Sequence, residues 1–276
     1  MQPKISIVVP CYNQGQYLGE LLSSLEACNK SLYELILVND GSTDDNTNRI
    51  MEELSRKGYH VIFQENKGLA GARNTGIAVA KGEYILPLDA DNKIRPAYLE
   101  NSIAALEKDS QVAVVYGDAM YFGEKQGYWE VGAFNLQRLM LANYIDACAV
   151  IRRSVLVQLG GYDTKMRLGW EDWDLWLRIA FAGYEFHYVP ELSFDYRVMN
   201  TSMARTLYNN YAKPNSIENY VESKYPSRIG NRYIVSYYIK RFRQNPFLFI
   251  AKLIIRAYFP NYYNKLLSEN KIRNGL

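Results

Sequence analysis

Over the first ninety residues, short apolar runs alternate with stretches in which apolar positions recur every three or four residues. Ile5–Pro10 is a mostly apolar run ending in a proline, the pattern of a buried strand. Leu18, Leu21, Leu22 and Leu25 then fall at helical spacing. Leu35–Val38 reads as a second strand, closed by Asn39-Asp40-Gly41-Ser42, with Ser42 or Thr43 placed to cap a helix that runs to about Lys57. Val61–Phe63 is a third strand, Ala70–Ala80 a helix stopped by Gly82, and Tyr84–Leu88 a fourth strand. Beyond Pro96 the pattern gives a helix to about Lys108, a strand over Val112–Tyr116, a hairpin over residues 118–131, a helix beginning near Trp173, and strands at Phe186–Val189 and Leu192–Tyr196. After Met199 it changes to a Tyr-rich, basic and helical segment.

Alternation of strand and helix predicts a parallel sheet covered by helices on both faces. In such sheets ligands bind beyond the carboxyl ends of the strands. The polar residues there are Tyr12 and Asn13, then Asp40, then Asp89 and Asp91. The pattern divides the chain into a sheet domain over 1–204 and a helical extension over 205–276.

Composition narrows the class. With 276 residues, 48% hydrophobic, the chain buries a sizeable core and is not disordered. Cys11, Cys28 and Cys148 are scattered and odd in number, which argues against a disulfide scaffold or zinc site and for a reducing, cytoplasmic compartment. No signal-peptide pattern opens the chain. The net charge of +3 hides an asymmetry: residues 205–276 hold 13 Lys and Arg against 3 Asp and Glu, and the remainder 19 against 26. An acidic body argues against nucleic acid. The basic tail is either a wetted surface or a contact for anionic lipid at the inner membrane face.

Asp89-Ala90-Asp91, after an apolar strand, presents hard oxygen ligands suited to Mg²⁺ or Mn²⁺ held jointly with substrate phosphates. Asp40 is either a ligand-binding carboxylate or a turn-forming Asp before Gly41. The stretch from Asn66 to Asn74 is Gly-rich and basic; its backbone around Gly68, with Arg73, suits a phosphate, although it matches neither common phosphate-loop fingerprint. Trp170-Glu171-Asp172-Trp173-Asp174 sets carboxylates among tryptophans. Trp170 is a candidate sugar platform and one carboxylate a candidate general base; equally, this is an acid-rich helix start.

Taken in order, ISIVVPCYNQGQYL, LILVNDGSTDD, NKGLAGARNTGIAVAKGEYILPLDADN and GWEDWDLWLRIAFAGYEF resemble family-two, GT-A-fold inverting glycosyltransferases over residues 4 to 200. The resemblance implies a Rossmann-like α/β fold, a mixed and mainly parallel sheet flanked by helices. It implies a donor site of Pro10, Tyr12, Asp40, Gly68, Arg73, Asp89 and Asp91 for a UDP- or dTDP-sugar. Tyr12 would stack on the base and Asp40 hydrogen-bond it, with Arg73 near the diphosphate. Asp91, with Asp89, would ligate Mn²⁺ or Mg²⁺. Asp172 would be the base, and Trp170 and Glu171 would meet a glycan or lipid-linked acceptor. Two positions depart from the pattern. Asn92 replaces a third acid, and Met199 stands where relatives carry a His, a poor exchange for a hard cation.

Overall fold

In a computed structural model, residues 2–167, 169–199, 219–229, 231–259 and 262 are described. The chain forms two compact units, Met1–Ile217 and Glu218–Leu276. The predicted boundary at 204/205 lies outside the described residues.

The first unit is built on β1 (Ile5–Cys11), β2 (Tyr33–Asp40), β3 (His60–Gln64) and β4 (Tyr84–Pro87), joined by α1 (Leu18–Glu26), α2 (Asp45–Arg56) and α3 (Gly68–Val79). All seven residues of β1 are buried, as a central parallel strand covered on both faces must be. β1 lies between β2 and β4, parallel to both, and β3 adds parallel to β2. Gly76 lets α3 lie flush on the sheet, since a Cβ there would overlap the Val8 side chain. Asp44 caps α2 by accepting from Thr47 N at 2.8 Å.

The second half departs from simple alternation. β5 (Lys93–Ile94) and α4 (Pro96–Lys108) precede β6 (Val112–Gly123), which turns into β7 (Gly127–Trp129). The expected hairpin is therefore present, with its first arm continuous with the preceding strand. Next come α5 (Leu136–Leu141), β8 (Val150–Arg152), α6 (Arg153–Gln158), α7 (Glu171–Phe181) and β9 (Glu185–Val198). The sheet order is β3-β2-β1-β4-β8-β6-β9-β5, with β7 on β6. The long ladders are parallel; those made by β5, β7 and β8 are short and antiparallel. The two strands expected at 186–189 and 192–196 are one strand. Its register on β6 slips where Gly117 opposes Val189 and Asp118 opposes Leu192, so the chain passes Pro190 without leaving the ladder.

The second unit contains α8 (Asn231–Gln244) and α9 (Pro246–Tyr258). Phe249 packs edge-on against Tyr238 and Phe242 at 6.1 and 5.9 Å. Outward on α9, Phe247 is 87% and Tyr258 77% exposed, and Ile250 and Ile254 are also exposed. Among the described residues no helix is long and apolar enough to cross a membrane.

Candidate active site

The expected polar residues sit at the carboxyl ends of β1, β2 and β4. Pro10 is buried within β1 and Tyr12, just past it, is exposed. Asn13 adopts a left-handed conformation (φ 54°) and stitches two loops together: its Oδ1 accepts from Thr43 N at 2.8 Å and Asp44 N at 3.1 Å. Asp40 is buried at the end of β2, where its Oδ1 accepts from Gln64 Nε2 at 2.6 Å and Lys67 N at 2.8 Å. It thereby holds the Gly-rich segment in place, and Gly68 opens α3 at φ +75°.

Asp89 and Asp91 leave the end of β4 half-buried. Burial and the Asp89 charge push Asp91 up to about 7. The Asp91 loop is clamped from β9: Arg197 N donates to Asn92 Oδ1 at 3.0 Å and Arg197 Nε to the Asp91 carbonyl at 3.0 Å.

Arg73 does not face solvent. Its side chain is 1% exposed and donates from Nη2 to Asp89 Oδ1 at 2.6 Å and from Nη1 to Glu171 Oε1. Its guanidinium also lies over the Tyr162 ring at 5.3 Å. One buried cation thus joins the end of β4 to the start of α7, and these two carboxylates hold it charged, well above the ordinary guanidinium range. Glu171 is buried and held by this pair.

α7 starts from Trp170, in a left-handed conformation at φ 61° after Gly169 at φ 112°. Trp170 is half-buried and meets Trp173 edge-on at 5.8 Å. Leu175, Trp176 and Ile179 face the core, as their spacing predicts. Asp174 is a structural partner that accepts from Arg178 Nε at 2.8 Å. Asp172 accepts from Trp173 N and from Asn143 Nδ2, both at 2.8 Å. Desolvation first, then the charge of Glu171, raises Asp172 to about 8.

Two residues here have no place in the sequence reading. Asn143 and Asp146 lie in the loop after α5, and the α7 tryptophans anchor α5 and that loop in turn. Trp173 Nε1 donates to Leu139 O at 2.6 Å and Trp176 Nε1 to Ile145 O at 3.1 Å. Asp146 Oδ1 accepts from Cys148 N at 2.9 Å. Burial and Asp89 push Asp146 up to about 7. No spacing signal marks a lone Asn or Asp in a loop; only the fold brings them to the pocket.

Asp89 thus pairs directly with Arg73, the charges of Asp146 and Asp172 act on the same guanidinium, and Asp91 stands beside Asp89. Among the described residues no three His, Cys, Asp or Glu side chains are placed to hold a metal ion together. The donor set nonetheless fits a hard divalent cation of the kind that completes its shell with phosphate oxygens and water. Asp89 and Asp91 supply carboxylate oxygens, and their mutual repulsion is what a cation relieves. His187, opposite Val115 in the β6–β9 ladder, is exposed and part of the strand rather than a substitute ligand.

A parallel half-sheet ending in a carboxylate pair, with an acid-rich helix start across from it, defines a GT-A-type fold. The chain belongs to glycosyl transferase family 2, whose family model matches residues 6–160. It is 39% identical over 131 residues to glycosyltransferase GlyG of Streptococcus pneumoniae serotype 4, covering 46% of this chain and 42% of that one. It is 28% identical over 237 residues to the uncharacterized glycosyltransferase RP339 of Rickettsia prowazekii, covering 79% and 69%. The match to GlyG therefore spans less than half of that relative's length. In fold it is similar to S. aureus TarS 1-349, solved in complex with UDP-GlcNAc, with a TM-score of 0.60 at 20% identity, covering 73% of this chain and 60% of that one.

Proposed function

We propose that this chain is an inverting, metal-dependent glycosyltransferase that moves a hexose from a UDP- or dTDP-sugar to an acceptor hydroxyl in polysaccharide or glycolipid synthesis. The observation that carries this reading is the joining of Asp89, at the end of β4, through Arg73 to Glu171, the residue next to Asp172. A donor-phosphate site and a base thereby share one rigid frame. Family membership and the UDP-GlcNAc complex of the structurally similar TarS support the donor class.

In this reading Tyr12 stacks on the base and Asp40 accepts from its ring NH. Asp91, with the Asp89 oxygen that Arg73 leaves open, holds Mn²⁺ or Mg²⁺, which when bound neutralises charge on the leaving diphosphate. Asp172 takes the proton of the acceptor hydroxyl. That oxygen bonds to the anomeric carbon from the face opposite the diphosphate as the bond from carbon to diphosphate oxygen breaks, so configuration inverts. Asp146 offers its second oxygen to a sugar hydroxyl, and Trp170 flanks the acceptor. The test is thermal stabilisation by UDP, dTDP, CDP and ADP with Mn²⁺, followed by proton NMR of the transfer product. Equal stabilisation by all four nucleotides, or a product with retained configuration, overturns it.

The acceptor, a glycan or a lipid-linked one, is met at a membrane surface in this reading. α9 exposes apolar residues and α8 exposes Lys240 and Arg243, a pairing of apolar and basic groups suited to the headgroup region of an anionic bilayer. Sedimentation with anionic vesicles should be salt-sensitive and absent with neutral ones; no binding at low salt overturns this part.

A further inference from the structure

We infer that the rings of Tyr121, Trp129 and Tyr196 form a shelf that seats a pyranose ring of the acceptor beside the transfer site. The inference rests on the transfer reading above and adds a class of acceptor to it: one with a sugar next to, or bearing, the reacting hydroxyl.

The shelf is a product of strand register. Tyr121 on β6 lies opposite Tyr196 on β9, and β7 brings Trp129 opposite Ala119. Trp129 stacks on Tyr121 with centroids 5.4 Å apart and planes 8° apart, and meets Tyr196 edge-on at 5.6 Å. Tyr121 and Tyr196 meet edge-on at 6.0 Å. Lys125 Nζ lies over the Tyr121 ring at 4.3 Å. With Trp129 and Lys125 against it, Tyr121 serves as support, and Trp129 and Tyr196 are left to meet a ligand. All three rings are half-buried.

Its position is set by the next residue. Arg197 grips Asn92 and the Asp91 carbonyl, each at 3.0 Å, so Tyr196 is the neighbour of the residue that holds the Asp91 loop and, by strand alternation, stands on the other face of β9 from the Arg197 side chain. Neither the Tyr121 nor the Tyr196 hydroxyl has a hydrogen-bond partner among the described residues. Both phenols are pushed up by burial and by the charge of Asp146, Tyr121 to about 12. Asp146 commits one oxygen to Cys148 N. The shelf therefore combines apolar ring faces with two hydroxyls that have no partner among the described residues, and the charge of Asp146 acts on both. A pyranose has the matching form, an apolar C–H face with a rim of hydroxyls.

Sheet order assigns the shelf to the acceptor. The nucleotide half of the site is carried by β1, β2 and β4, and the shelf by β6, β7 and β9, on the far side of β8. A donor laid out from Asp40 to Asp91 brings its sugar to Asp146 and Asp172, so the shelf lies past that sugar.

Trp129 and Tyr196 also rest on the main core, so the competing role is packing alone. Three variants separate the two roles. Trp129→Phe keeps an aromatic face, Trp129→Leu keeps bulk but loses it, and Tyr196→Phe keeps the ring and loses the hydroxyl. Saturation-transfer NMR is run with p-nitrophenyl β-D-glucopyranoside, its galacto isomer and its N-acetylglucosamine analogue, with and without UDP and Mn²⁺. The wild-type chain is expected to bind at least one glycoside and Trp129→Phe to retain it. Trp129→Leu should weaken it by about tenfold, the scale of one lost ring contact. Tyr196→Phe should weaken it without lowering the melting temperature. Affinities for UDP and UDP-GlcNAc, read by calorimetry, should not change. A wild-type chain that binds no glycoside, or equal binding by all variants, overturns the shelf. If Trp129→Leu loses affinity for UDP-GlcNAc but not UDP, the ring seated there is the donor's, and the acceptor assignment falls. A wild-type chain that binds glycosides but no UDP leaves the shelf standing and overturns the donor reading instead.

Discussion

Asn143 donates its amide hydrogen to Asp172 Oδ2 at 2.8 Å, while the other carboxylate oxygen is held by the N–H of Trp173. The Asn143 bond favours the charged carboxylate, against the desolvation and the Glu171 charge that disfavour it. Removing it in Asn143→Ala should raise Asp172 further. Turnover at pH 7 is then expected to fall about tenfold and to recover toward alkaline pH, because a base acts only when deprotonated. A purely structural role for Asn143 would depress the whole pH profile evenly.

In the wild-type chain the same logic places the acid limb of kcat/KM near Asp172's own value of about 8, with activity rising through it as pH increases. Asp172→Asn should remove that limb and cost about 10²- to 10⁴-fold in rate. UDP affinity, assigned in the proposed reading to residues at the ends of β1, β2 and β4, should survive. Lost UDP affinity with unchanged turnover would move the base to another carboxylate.

Asp91→Ala is expected to abolish the dependence of UDP affinity on Mn²⁺ and to stop turnover while leaving the fold intact, with melting at pH 8 raised rather than lowered because a buried charge is removed. Full wild-type activity in EDTA would remove the metal from the mechanism.

The carboxylates also make stability depend on pH with an unusual sign. Asp91 and Asp146 are raised to about 7 and Asp172 to about 8. The folded chain therefore holds protons that the unfolded chain releases near pH ~4. Stability contributed by these groups is present below that pH and is lost as pH rises through their folded values. The melting temperature should fall between pH 6 and 8, and Asp146→Asn should flatten that fall and raise melting at pH 8. A melting temperature that climbs over this interval would contradict the raised values.

Much of this was legible in the chain. The β1 to β4 alternation, the carboxylate pair after an apolar strand and the buried face of α7 all arise from local periodicity, because there each element packs on its neighbours in sequence. What escaped is non-local. β8 is three residues long, too short for a period, yet it sits between β4 and β6. β9 reads as two strands because Pro190 interrupts the alternation, and only the register on β6 shows it to be one. Arg73 reads as a phosphate ligand in a Gly-rich segment, while its partner Glu171 stands 98 residues away. Asn143 and Asp146 belong to a loop held by one tryptophan N–H bond from α7, to Ile145, while a second holds the helix before it at Leu139.

Arg73 is itself a test of the frame. Arg73→Met removes the cation and leaves Asp89 and Glu171 without it, a loss on the order of 3–5 kcal/mol for breaking a buried pair. Arg73→Lys keeps charge but loses the planar fork that reaches both partners, and is expected to restore only part of that stability in urea melts. Full stability in Arg73→Met would show the pairing to be dispensable.

The stretch that matches the family ends at residue 160, and Glu171 lies beyond it. Severed at that point, the matched segment would keep Arg73 and Asp89 but lose both Glu171 and the Tyr162 ring over which the guanidinium lies. The cation would then be opened to water on the side that α7 now covers. A graft of the matched segment that is meant to keep this frame therefore has to carry residues 161–181 along.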